Sequence, residues 1–287
     1  RNSISSKMVY TSIKSSNIIT REVVLPFVKE EEILGILQFQ LDEYLPIDPK
    51  NYIVQYKAFG KFIEDGTDKI NVLLIAVPKE IVETHFQLIS KLDLKPLVLD
   101  YQSDGLAKLL YYNSLINGKY STKDITIAAI DLGSTNTNVT ISKNGQILVS
   151  RIVETGGEDL DMSILNFFEL NKKELEEKKM SIENINRIED EFTEGNRFLN
   201  IVNSNIESIM DKIDIVFRYY YSREKENTIH LILLTGGLSN ISGIENIFSK
   251  YFNIPTIRLN SLDKVFSSVD LNKYVNCISS LIRIGEQ

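Results

Sequence analysis

Apolar and polar residues alternate over 7–14 (KMVYTSIK) and 18–25 (NIITREVV), and the two runs are separated by Ser15 and Ser16. The pattern predicts two strands joined by a tight turn. From Lys29 to Tyr44 the period changes, with Ile33, Leu34, Leu37 and Leu41 recurring at helical spacing behind the acidic turn Glu30 to Glu32. Negative charge suits a helix N-terminus, and Pro46 and Pro49 end the segment. Strands are expected near 52–59 and 69–77 with a turn at Asp65 and Gly66, followed by a helix from Pro78 to about Lys91. The first third therefore reads β-β-α-β-β-α.

A short apolar strand at 95–100 leads into a helix at 101–112, and the polar stretch 117–124 (NGKYSTKD) is the expected junction between two parts. Beyond it, 125–130, 135–142 and 146–153 read as a three-strand meander, with turns at Gly133 and at Asn144-Gly145, a strong hairpin pair. Residues 158–226 read as helical almost throughout, with Ile206, Ile209, Met210, Ile213, Val216, Phe217 and Tyr220 forming one apolar stripe. The strand expected at 229–234 (IHLILL) delivers Thr235, Gly236 and Gly237 to a helix at 241–251, then a strand at 255–259 and a partly helical tail.

With 43% hydrophobic and 25% charged residues, the chain has a globular composition rather than a disordered or fibrous one. Its net charge of −7 gives no general attraction to nucleic acid. Cys277 is the single cysteine, and His85 and His230 lie far apart, so no zinc-type Cys/His cluster can be assembled and a reducing cytoplasmic setting is expected. No stretch reaches the ~20 apolar residues of a bilayer span. The sequence opens on Arg1 with strand-like residues close behind, and a longer natural N-terminus is expected.

Three glycine-bearing turns, each at the end of an expected strand, carry the candidate chemistry. In Ile130-Asp131-Leu132-Gly133-Ser134-Thr135-Asn136-Thr137-Asn138, Gly133 permits backbone amides to approach an oxyanion. Ser134, Thr135 and Thr137 add hydroxyls there, and Asp131 can hold Mg²⁺ through water. The same segment is also readable as an ordinary hairpin with a capping aspartate. Gly156 and Gly157 precede Glu158 where the meander turns into a helix, and Leu233 to Ile244 (LLTGGLSNISGI) sets Gly236, Gly237 and Ser239 at a strand-to-helix turn. Three such turns suggest one cleft.

The stretches DLGSTNTNVTI, GGEDL and LLTGGLSNISGI, in that order and with a long helical insert between them, resemble the PilM family of type IV pilus assembly proteins. That family is a relative of FtsA within the actin-like ATPase superfamily. REVVLP, QFQLDEYLPID, VLLIAVPKE and KPLVLDYQSDGLA agree with it in the front half. The resemblance implies an α/β, actin-like (ribonuclease H-like) two-lobed fold with a small inserted α+β subdomain. The first lobe would take residues 1–117, with the insert at about 7–100, and the second 118–287. It further implies ATP and Mg²⁺ as cofactors. Asp131, Gly133, Ser134 and Thr135 would lie around the phosphates and metal, Gly156 and Gly157 beside the nucleotide, and Gly236, Gly237 and Ser239 near the adenosine. Glu176 and Lys179 match more loosely an acid and a lysine near the ribose and base, and read more readily as a surface i,i+3 ion pair than as ligands.

Two departures from the family pattern bear on catalysis. No counterpart of the first phosphate loop occurs before Lys7, and Gln102 stands about where relatives place an acid that orients the attacking water. Glutamine positions water but does not accept its proton, so the candidate catalytic pair Asp131 and Gln102 implies slow or absent hydrolysis. Leu238 also replaces a small residue of the adenosine motif. The implied partners are the N-terminal cytoplasmic peptide of the inner-membrane protein PilN and other pilus assembly components. Membrane association would be indirect, at the inner face of the cytoplasmic membrane, with the peptide groove lined by 7–25 and 29–44. An FtsA-like division protein and a small-molecule kinase of the same superfamily are the alternatives.

Overall fold

The computed structural model describes residues 6–186 and 193–283. The parts of the expected helical segment and tail at 187–192 and 284–287 lie outside the described residues. Contacts divide the chain into two compact units, 1–102 and 103–287, a boundary that precedes the polar stretch 117–124.

The first unit runs β1 (Met8–Ile13), β2 (Ile19–Pro26), α1 (Glu30–Phe39), α2 (Leu41–Tyr44), β3 (Tyr52–Glu64), β4 (Thr67–Pro78), α3 (Lys79–Lys91) and β5 (Lys95–Tyr101). The sheet β2-β4-β3 is antiparallel, and Asp65 (φ 50°) with Gly66 (φ 73°) closes the β3-β4 turn. Two successive left-handed residues give the hairpin a turn whose twist matches its strands. Alternation in β2 and β4 puts Val23, Leu25, Val72, Leu74 and Ala76 on one face, where α1 lays Ile33 and Leu37 against them. Burying each of those two side chains contributes about 1.5–3 kcal/mol.

The expected β1-β2 hairpin is not formed. Ser15 does accept a turn bond from the Ile18 amide (3.1 Å), but β1 pairs in parallel with β5 while β2 pairs with β4. Alternation reports which face of a strand is buried and leaves its partner open, and here each strand finds its partner far along the chain. The single helix expected over 29–44 is also interrupted, because Gln40 leaves helical geometry (φ −108°, ψ 14°) between α1 and α2.

Helix α4 (Gln102–Tyr112) starts on the last residue of the first unit and otherwise opens the second, followed by the short pair β6 (Leu115–Ile116) and β7 (Tyr120–Ser121). The meander β8 (Thr126–Leu132), β9 (Thr137–Lys143) and β10 (Gln146–Val153) follows, then α5 (Gly157–Phe168), α6 (Lys172–Met180) and α7 (Glu194–Arg223). The unit continues with β11 (Leu231–Thr235), α8 (Ile244–Phe252), β12 (Thr256–Arg258) and α9 (Leu271–Ser279). Strand order is β10-β9-β8-β11-β12, with β11 parallel to both β8 and β12.

Period-two alternation in β8 separates two cores. Ala128, Ile130 and Leu132 join the layer that holds the α7 stripe, including Ile206, Ile209, Ile213 and Phe217. Ile127 and Ala129 face the other layer with Leu106 and Leu109 of α4 and Leu271 and Val275 of α9. Asp131 continues this second series, so the strand's own pleat carries its carboxylate to the α9 side.

Candidate functional site

Topology brings the three glycine turns to one edge of the sheet. β8 and β11 run parallel with Asp131 opposite Thr235, and β10 runs in the same direction because both β8 and β10 are antiparallel to β9. The loops leaving the C-terminal ends of all three strands, 133–136, 154–156 and 236–240, therefore share an edge. Ligands of α/β sheets bind outside the carboxyl ends of the strands.

The first turn is closed by the Gly133 amide, which donates to the carbonyls of Asp131 (3.0 Å) and Asn136 (3.2 Å). The start of α5 then grips it, with the amides of Gly157 and Glu158 donating to the carbonyls of Gly133 (2.9 Å) and Ser134 (2.8 Å). The Ser134 hydroxyl donates to Glu158 (3.0 Å), and the Gly156 amide to Asp159 (2.8 Å). A side chain at 156 has no room, because its Cβ would stand 2.7 Å from the Gly133 carbonyl oxygen. The amides of Gly156 and Gly157, residues expected beside the nucleotide, and of Glu158 are thus spent on holding the first loop and the start of α5. They are not free anion donors.

Gly236 (φ 86°, ψ 176°) occupies backbone space open essentially to glycine alone. Its Cβ would collide with Asp131 Oδ1 and stand 2.6 Å from the Leu132 carbonyl oxygen, so the first and third turns touch through this residue. Ser239 is buried, and its hydroxyl donates to the Gly236 carbonyl (2.7 Å) rather than facing outward. Gly237 opens on space, with nothing within 4 Å of a built Cβ, and a Cβ on Gly157 would meet Leu238 at 3.5 Å. The groups positioned to meet a ligand are the exposed hydroxyls of Ser134 and Thr135, the open backbone at Gly237 and the carboxylate of the nearly buried Asp131.

That donor set fits a magnesium nucleotide. Among the described residues no three His, Cys, Asp or Glu side chains gather as a metal cage. Mg²⁺ does not require one, since it keeps several waters and binds through one or two carboxylates plus substrate phosphates. Glu176 and Lys179 are elsewhere engaged: the Lys179 ammonium bridges Glu176 (2.7 Å) and Asp161 of α5 (2.9 Å). Burial lowers the Lys179 pKa, but the hydrogen bonds to Glu176 and Asp161 outweigh it and leave the group above the usual lysine value. Gln102 is buried at the first residue of α4.

Two residues outside the sequence motifs also reach the turns. Asn272 of α9 accepts from the Gly236 amide (3.1 Å) and donates to the Gly236 carbonyl (3.2 Å) and Ser239 Oγ (2.7 Å). Asn276 donates to Asp131 Oδ2 (3.2 Å). A pair of asparagines one turn apart beside Leu271 and Val275 was the signal available in the tail. Neither histidine joins the site, as His85 Nδ1 bonds the Ile81 carbonyl (2.8 Å) and His230 Nδ1 the Thr126 amide (3.1 Å).

The family model for type IV pilus assembly protein PilM matches residues 1–276. The solved PilM-PilN type IV pilus biogenesis complex is similar over 97% of this chain and 80% of its own, at 17% identity and a TM-score of 0.72. MreB 5 of Spiroplasma citri bound to AMPPNP is similar over 71% of this chain and 63% of its own, at 16% identity and a TM-score of 0.51. At these identities the two likenesses speak for the fold, which is actin-like.

Proposed function

From the premise that the chain belongs to the type IV pilus assembly protein PilM family, we propose that it is a nucleotide-dependent scaffold that binds ATP with Mg²⁺ and holds the N-terminal cytoplasmic tail of PilN. The observation that carries the nucleotide half is the convergence of the glycine turns on the segment 131–134, where the 156–157 turn packs on the Gly133 and Ser134 carbonyls and Gly236 on Asp131 and Leu132. In this reading Asp131 holds the metal through water, the Thr135 hydroxyl donates to a phosphate oxygen, and the Ser134 hydroxyl does so on exchanging its Glu158 acceptor for phosphate. Gly237 lets the main chain approach the nucleoside. Bound Mg²⁺ supplies charge neutralisation for the phosphates. Hydrolysis is slow, since the glutamine at 102 has no basic group to take a water proton.

Calorimetry on the 287-residue chain tests this half. Mg-ATP binds, and Asp131→Asn weakens binding in Mg²⁺ far more than in EDTA. A chain that takes up no Mg-ATP, or an Asp131→Asn variant with unchanged Mg²⁺ dependence, refutes it.

The peptide half rests on the first unit. There α1, α2 and β3 line a cavity of about 240 Å³ with Leu34, Leu37, Leu41, Tyr52, Val54 and Tyr56, and β3 is, like β2, an edge strand of its sheet. An extended tail gains main-chain bonds at a strand edge and apolar side-chain pockets beside it, the usual means of holding such a peptide. The solved relative is itself a complex with PilN. In this reading the partner supplies attachment to the inner face of the cytoplasmic membrane; among the described residues no helix is long and apolar enough to cross a membrane. Fluorescence anisotropy with a labelled PilN-tail peptide checks it. Leu34→Glu, at a half-exposed position, lowers affinity roughly tenfold, in the range of an interface anchor. Full binding by that variant and by Tyr52→Ala would place the tail elsewhere.

A further inference from the structure

We propose that α9 is a positioning element of the nucleotide cleft, with Asn272 setting the Gly236 turn and Asn276 setting the Asp131 carboxylate. The inference rests on the nucleotide reading above. One stripe of α9 is anchored, because Leu271 and Val275 are buried in the apolar layer with Ile127, Ala129, Leu231 and Leu233. Asn272 and Asn276 form the neighbouring stripe. Four residues along a helix advance about 6 Å. Adjacent strands lie about 4.8 Å apart. Asparagines one turn apart therefore reach the ends of two neighbouring strands, Asp131 on β8 and Gly236 past β11.

The side-chain chemistry is selective. Asn272 offers one acceptor and two donors on a short stem, and all three are used, on the Gly236 amide, the Gly236 carbonyl and Ser239 Oγ. Aspartate would lack the donors. Asn272 is itself almost fully buried, so its amide replaces backbone partners that the Gly236 turn cannot find in the sheet. Asn276 donates to one carboxylate oxygen of Asp131, while the other oxygen lies against Gly236. The carboxylate is thus held from two sides. Asn276 Oδ1 is buried and receives no hydrogen bond from the protein. A donor on one oxygen fixes the direction in which the Asp131 carboxylate points, as hydrogen-bonded partners do for metal-binding carboxylates.

The two asparagines make different predictions. In calorimetry on the full chain, Asn276→Ala lowers Mg-ATP affinity roughly tenfold, the loss of one hydrogen bond to a charged group, and leaves ATP affinity in EDTA unchanged. Asn272→Ala weakens ATP in both conditions and accelerates amide exchange across 233–240, because the Gly236 amide loses its acceptor. If Asn272→Ala does not fold, Asn272→Asp, which retains that acceptor, carries the same test through its lost donors. A purely structural role would lower the melting temperature and both affinities together, with no Mg²⁺ split for Asn276→Ala, and would overturn the proposal. A wild-type chain that binds no Mg-ATP overturns the nucleotide reading and this inference with it. Wild-type binding with an indifferent Asn276→Ala overturns this inference alone.

Discussion

Replacing Gly236 by alanine isolates the requirement that joins two of the cleft's turns. At φ 86° and ψ 176° an L-residue sits in a region that costs about 1–3 kcal/mol. The added methyl also meets the Leu132 carbonyl oxygen at 2.6 Å and presses on Asp131 Oδ1. Both neighbours are fixed, Leu132 by its β8-β9 pairing with Thr137 and Asp131 by Asn276, so relief requires backbone movement, at about a further 1–3 kcal/mol. The sum, about 2–6 kcal/mol, is a large share of the roughly 5–15 kcal/mol that holds a typical protein folded. Gly237→Ala is the matched control. With nothing within 4 Å of its Cβ, it changes stability by less than about 0.5 kcal/mol. Urea unfolding followed by far-ultraviolet circular dichroism measures both, and hydrogen exchange over 231–240 assigns the loss to the second unit. Equal stability of the two variants would refute the steric argument.

Two electrostatic predictions accompany it. Lys179→Met removes the bridge to Glu176 and Asp161 and costs about 1 kcal/mol near neutrality, a figure discounted because Glu176 is more than half exposed. The folded-state pKa of Lys179 is raised, so its contribution is full below the unfolded lysine value near ~10.4 and lost as pH rises through the folded value. Melting temperatures of the two proteins should therefore converge in strong alkali. At the other end of the scale, backbone amides of Leu115 (3.0 Å) and Ser114 (2.8 Å) hold the Asp263 carboxyl below its usual range. Its stabilisation is present above the unfolded aspartate value near ~3.9 and lost as pH falls through the folded one. Asp263→Asn should flatten this part of the acid limb, and an unchanged acid profile would remove Asp263 from the account.

How much of this was legible beforehand depended on the range of the interaction. The meander, its Asn144-Gly145 turn (φ 48° and 81°) and the buried stripe of α7 are all written in local spacing, and the structure has them. The gathering of Gly133, Gly156 and Gly236 was readable as well, since each follows a strand and the family order arranges the strands. Their division of labour was not. That the amides at 156–158 bind the first loop and cap their own helix, and that Ser239 turns inward, depends on which acceptor lies opposite, and spacing along one strand carries no record of it.

The sequence by itself determined the alternation of strands and helices, the glycine-bearing turns at the strand ends, and the family, because periodicity and turn chemistry act over a few residues. Tertiary structure decided the partners. It paired β1 with β5 instead of β2, turned Lys179 toward Asp161 as well as Glu176, and carried Asn272 and Asn276 to Gly236 and Asp131, which lie 36 and 145 residues away. Such contacts form because two apolar faces close on one another across the sheet and bring with them whatever polar residues flank those faces. In α9 the burial of Leu271 and Val275 is that closing force, and the position of the asparagines beside them is its consequence.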